Sequence, residues 1–182
     1  MAPESTGSGV RSSAPSRARV AAVVVNVALG LLLPLPHAAR SAPASVNPAQ
    51  ALVERGALAM RSDPEASKRD AEEALRVLKR RPDPDLEIRA RLLLCDYRSE
   101  RDSAGAQQEI AAAAALLPRA QRQGLRAGVL LCQGAILETA GDNTKAMTQY
   151  GQAVAVATQT QDDEMLAESL FSRGYLLGVQ GD

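Results

Sequence analysis

The chain has 182 residues, of which 46% are hydrophobic but only 2% aromatic, and its Lys and Arg balance its Asp and Glu to a formal net charge of zero. That length suits one domain of ordinary size, and a core so poor in rings must be filled by Ala, Leu and Val. The charge balance offers no electrostatic case for nucleic-acid binding, which calls for Lys and Arg clustered on one face.

Pro, Gly and Ser crowd the first fifty residues, after which Ala, Leu, Arg, Glu and Gln take over. The latter are good helix formers, which places the start of the folded part near residue 47. Ahead of it, Arg11, Arg17 and Arg19 precede an apolar run over 20–35, and small residues follow. This order predicts an export signal over 1–44, cut after Ala44 or, as the second choice, after Ala39. The run is too short, and too interrupted by Asn26, Gly30 and Pro34, for the roughly 20 apolar residues of a spanning helix. Membrane contact is therefore expected only through this segment or through a helix further downstream. Without 1–44, Lys plus Arg falls from 21 to 17 and Asp plus Glu from 21 to 20, leaving −3. An exported, periplasmic, mildly acidic body results.

Asn47-Pro48 predicts the cap and first turn of a helix running to about Met60, because Pro is tolerated at the first helical position. Asp63-Pro64-Glu65 repeats the device for a second helix through Arg80, with Ala71, Ala74, Leu75 and Leu78 on one face. These two helices make a first hairpin over 45–85. The run Lys79-Arg80-Arg81 reads as cations at the carboxyl end of a helix dipole. Pro82-Asp83-Pro84 stops the chain, and a third helix is expected over 86–100.

From there an internal period of 40 residues sets in. Gly141-Asp142 recurs as Gly181-Asp182, Leu130 as Leu170, Gly134 as Gly174 and Leu137 as Leu177. One step back, Ala146 maps on Ala106, Tyr150 on Ile110, Ala153 on Ala113 and Asp142 on Asp102. Self-similarity of this length means stacked two-helix units, each too small to bury its apolar face alone. The alanines at 111–115 read as part of a tightly packed helix.

Counted from Ala127, the positions of Leu130, Gly134, Leu137, Gly141, Ala146, Tyr150 and Ala153 resemble the packing pattern of the tetratricopeptide repeat. The unit departs from that family at Gln133 and in exceeding its usual length of about 34 residues. In the preceding unit Arg101 stands where the turn glycine is expected. The resemblance implies an all-α fold of antiparallel helix hairpins stacked as a solenoid, with repeats over 86–182 and the last one incomplete.

The same resemblance implies a groove lined by the first helices of successive units. Carried over position by position, its contacts are Arg91, Cys95 and Arg98, then Leu131, Ala135 and Glu138, then Phe171 and Tyr175. Two arginines opposite two aromatics would suit an acidic or extended peptide. The partner class is a protein, a peptide or a small molecule. The alternative reading makes Arg91 and Arg98 solvated charges and Phe171 a packing residue.

Catalytic chemistry is not supported. The one histidine, His37, lies in the signal region, and no phosphate-binding glycine motif occurs. Asp162, Asp163 and Glu164 read as favourable charge at the start of a helix. No catalytic residue, metal site or cofactor is therefore expected. Cys95 and Cys132 could pair in an exported chain, but they hold the ninth and sixth positions of their units. This difference favours two small buried thiols between helices over a bridge.

The end of the chain over 172–182 resembles the exported repeat region of bacterial sensor diguanylate cyclases. This implies the amino-terminal sensor part of a larger signalling protein, with a cyclase or histidine-kinase output domain further on. The alternative is a free-standing periplasmic adaptor for protein assembly or secretion.

Overall fold

A computed structural model of the protein describes residues 47–181. The expected export signal and His37 lie outside them. Among the described residues there are seven α-helices, one short 3-10 turn and no strand. The helices are α1 (Pro48–Ala59), α2 (Pro64–Leu78), α3 (Pro84–Ser99), α4 (Ser103–Leu116), α5 (Leu125–Thr139), α6 (Asn143–Gln159) and α7 (Asp163–Gln180). The all-α expectation therefore holds, and none of these helices is long and apolar enough to cross a membrane.

Six of the seven helices start where capping chemistry dictates, while α5 follows Gly124 without a side-chain cap. The Asn47, Asp63, Asp83, Asp102, Asp142 and Asp162 side chains each accept a hydrogen bond from a backbone N–H in the first turn that follows, satisfying a donor that the helix itself leaves open. Pro48, Pro64 and Pro84 occupy the opening positions of α1, α2 and α3. Pro84 thus begins α3 instead of merely ending the loop, two residues earlier than the pattern of apolar residues suggests. A fixed φ and a missing N–H cost nothing at that position. Asp162 caps α7, and Asp163 and Glu164 fill its first turn, as the acidic triplet predicts.

The turns differ in how they reverse the chain. After α5, Gly141 takes φ 79°, a left-handed conformation suited to a residue without Cβ. Arg101, at the corresponding place after α3, is not among the positive-φ residues. Its turn closes instead through the Asp102 N–H, which donates to the Arg98 carbonyl at 2.7 Å. After α6 the same role falls to Gln161 at φ 53°.

Consecutive helices pack against one another, and the odd-numbered helices α1, α3, α5 and α7 also pack each on the next. The core is divided accordingly. One cluster joins Ala49 and Val53 of α1 to Ala74 and Leu78 of α2 and to Leu86 and Ala90 of α3. A larger one joins Ile88, Ala106, Ile110, Ala113, Leu125, Val129 and Ile136 of α3, α4 and α5. Ala127, Ala153, Ala157 and Met165 link α5, α6 and α7, and Ala146, Tyr150 and Leu176 form a fourth group.

Small residues set the helix separation. A Cβ on Gly134 would come within 2.3 Å of the Tyr150 ring, so this glycine lets the ring of α6 pack directly on α5. Ala106, Ala146 and Ala153 have no exposed surface and leave no space for a larger side chain in a close-packed interior.

Cys95 and Cys132 form a disulfide between α3 and α5, with Cα atoms 6.3 Å apart. This overturns the expectation of two unpaired thiols. Equivalent repeat positions are not required for a bridge. Only adjacency is, and direct packing of α3 on α5 brings the two backbones within bridging distance.

Candidate binding cavity

The odd-numbered helices, together with Tyr150 of α6, enclose a cavity of about 170 Å³. Val53 and Ala57 of α1 line it, as do Leu92 and Leu93 of α3, Leu125, Leu131 and Ala135 of α5, and Met165 of α7. At Gly128 the wall is closed by Leu92, which an added Cβ would meet at 2.5 Å. Cys132 also lines the cavity, so the disulfide lies in its wall.

The two ends of this apolar hollow differ in charge chemistry. At the end formed by the first turns of α3 and α7, cation and anion are matched. Arg122 donates two hydrogen bonds to the Asp162 carboxylate, at 2.6 and 2.5 Å, and approaches Glu164 at 2.8 Å. Arg89 stands 3.8 Å from Glu164. The hydrogen bond from Arg122 holds Asp162 below the usual carboxylate range, against the opposing effect of desolvation. Asp162 in turn raises Arg122. Asp85 completes this end by accepting the Gln121 and Arg122 backbone N–H groups at 2.8 and 3.0 Å.

At the other end the cavity is lined by Asp96 of α3 and by Glu168 and Ser172 of α7. Among the described residues, no ion pair or hydrogen bond engages the side chain of Asp96 or Glu168. Water reaches both carboxylates, but the cavity walls crowd them. Desolvation is the main reason that both are raised above the ordinary carboxylate range, with the neighbouring acids Glu100 for Asp96 and Asp96 for Glu168 adding to it. Tyr150 borders the same region. Its hydroxyl donates to Glu138 at 2.7 Å, and burial, that carboxylate and the Asp96 charge all raise it.

The residues expected to form a groove are spread over several surfaces. Leu131 and Ala135 line the cavity. Arg91 and Arg98 instead grip the nearly buried Glu109 of α4, at 3.1 and 3.0 Å, with Arg91 also bonded to Glu87. Arg98 belongs to a separate hollow with Lys68, Glu72, Tyr97 and Arg101. Glu138 serves as acceptor for Tyr150. Phe171 and Tyr175 are more than half exposed on α7, with ring centroids 6.4 Å apart.

The cavity is reached on α3 by Leu92 and Asp96, one residue beyond Arg91 and Cys95, a rotation of about 100° around a helix. On α7 it is reached by Glu168 and Ser172, three residues before Phe171 and Tyr175. Repeat register identifies equivalent positions, but a hollow centred on α5 is bordered by whichever flanks its neighbours turn toward it. The sequence signal for the missed residues was Asp96 itself, an acidic residue directly after the apolar run 92–95.

Among the described residues no cluster of His, Cys, Asp and Glu could hold a metal ion. Fold and cavity together define an all-α protein of packed helix hairpins with an apolar hollow that is charge-matched at one end and acidic at the other. No family model matches the chain, and no curated protein or solved structure is significantly similar to it.

Proposed function

We propose that this chain is a helical-repeat binding scaffold of the tetratricopeptide type, exported from the cytoplasm, which senses a peptide or protein segment through the cavity over α5. The observation that carries the reading is the cavity itself, an apolar floor bordered by a small number of polar side chains, the usual makeup of a ligand site. The disulfide supports export, since such bridges persist in oxidising compartments. A ligand touching both α3 and α7 would bias the angle between them, which is how a scaffold of this kind would serve as the sensor part of a signalling protein.

Selection of a phage-displayed random peptide library on the oxidised full chain tests the reading. Binders are expected to be retained by the wild type and lost on Ala135→Leu, which extends a side chain from α5 into the hollow. Binders indifferent to that substitution would place recognition elsewhere. A melting curve of the variant close to that of the wild type shows that loss of binding is not loss of fold.

A further inference from the structure

The acidic end of the cavity already has an arginine beside it. Arg61, just beyond α1, places its guanidinium carbon 4.7 Å above the Phe171 ring. Phe171 lies one turn beyond Glu168 on α7 and stacks with Tyr175. The Arg61 charge is felt by both Asp96 and Glu168, yet no ion pair joins it to either carboxylate among the described residues. A cation is thus held by a ring next to two carboxylates with which it makes no ion pair.

We infer that Asp96, Glu168 and Phe171 form a seat for an arginine side chain of an extended peptide, and that Arg61 covers its approach in the free protein. The inference rests on the cavity being the ligand site. Three features favour arginine over lysine. A planar guanidinium stacks on an aromatic face, it is less strongly hydrated than an ammonium group, and its fork of donors can serve two carboxylates together. Asp96 also lies in the last turn of α3, where the helix dipole adds negative potential. The apolar floor at Leu92, Leu131 and Met165 would take a hydrophobic side chain of the same peptide. The matched pairs Arg89–Glu164 and Arg122–Asp162 at the far end offer no comparable vacancy, so the basic residue is directed to one end only.

Fluorescence anisotropy with the oxidised full chain tests the seat. The probes are labelled nonapeptides of one Ala and Leu background carrying Arg, Lys or Gln at the centre. The Arg peptide is expected to bind about tenfold or more tightly than the Gln peptide, as loss of a charge-assisted pair implies, and several-fold more tightly than the Lys peptide. Asp96→Asn with Glu168→Gln should erase this preference, and because it relieves their repulsion it should leave the melting midpoint no lower than that of the wild type. Arg61→Ala should strengthen binding of the Arg peptide alone. Equal binding of Arg and Gln peptides, or weaker Arg binding after Arg61→Ala, would overturn the seat yet leave the cavity reading intact if Ala135→Leu still abolishes binding. Failure of all three peptides to bind, or binding that survives Ala135→Leu, would overturn both.

Discussion

Breaking the Cys95–Cys132 bridge separates two helices that line the cavity. The bridge closes a chain segment with a sequence separation of 37, and its sulfurs sit in the core, with Cys95 wholly buried and Cys132 6% exposed. For a loop of that length, the entropy withheld from the unfolded chain is worth about 4 kcal/mol. Reduction leaves both thiols in place, so no cavity opens and the cross-link is isolated from packing. With a urea slope of about 2 kcal/mol/M, the unfolding midpoint should fall by about 2 M on reduction. The thermal midpoint should fall by about 10–15 °C for a domain of this size. Circular dichroism of the full chain with and without reductant measures both shifts, and a non-reducing peptide map shows whether the bridge is present at the start. Coincident oxidised and reduced curves, with the linked peptide present, would refute the loop-entropy reasoning.

Gly134→Ala forces a Cβ into the Tyr150 ring and should cost about 1–3 kcal/mol in urea unfolding, the range for overpacking an interface. Gln161→Gly removes the Cβ from a left-handed turn residue and should stabilise by about 1 kcal/mol, read as a raised thermal midpoint. Asp162→Ala removes both the cap of α7 and the partner of Arg122, with an expected loss of about 2–4 kcal/mol at neutral pH. Because the folded state lowers the pKa of Asp162, its contribution is complete above the unfolded carboxylate range and disappears as the pH falls through the lower folded value. Wild type and Asp162→Ala should therefore converge in stability in acid, and a gap that stays constant with pH would contradict the assignment to the ionised pair.

The helices were legible because their signals are local. An Asn or Asp cap followed by Pro marks three starts, and Asp102, Asp142 and Asp162 mark three more without help from tertiary structure. The repeat pattern marks Gly134 and Tyr150 as packing positions, and the two meet because both lie within one hairpin. The disulfide and the cavity depend on how one hairpin sits on the next. That relation is set by close contacts such as that of Leu92 with Gly128, residues far apart in sequence and unmarked by any motif. Glu109 shows the same limit. Nothing in a run of Gln and Ala announces that its one acid will be nearly buried between two arginines from the helix before it.

The contrast between the two ends of the cavity follows from what each must do for the fold. At the first turns of α3 and α7, Asp85 and Asp162 hold the connection before α5 through backbone N–H groups and Arg122, so charges there are used in keeping three helices aligned. Breaking such a partly buried pair leaves a charge without compensation. At the opposite end, alignment of α3 with α5 is already provided by the disulfide and by the Ile88, Ile110 and Ile136 cluster. Asp96 and Glu168 are not needed for it. Carboxylates that the fold does not use, crowded enough to be raised and still open to water, cost stability through their mutual repulsion. A cation entering between them relieves that repulsion, so part of the cost becomes binding free energy. This gives the acidic end a selectivity for positive charge that an apolar hollow alone would lack.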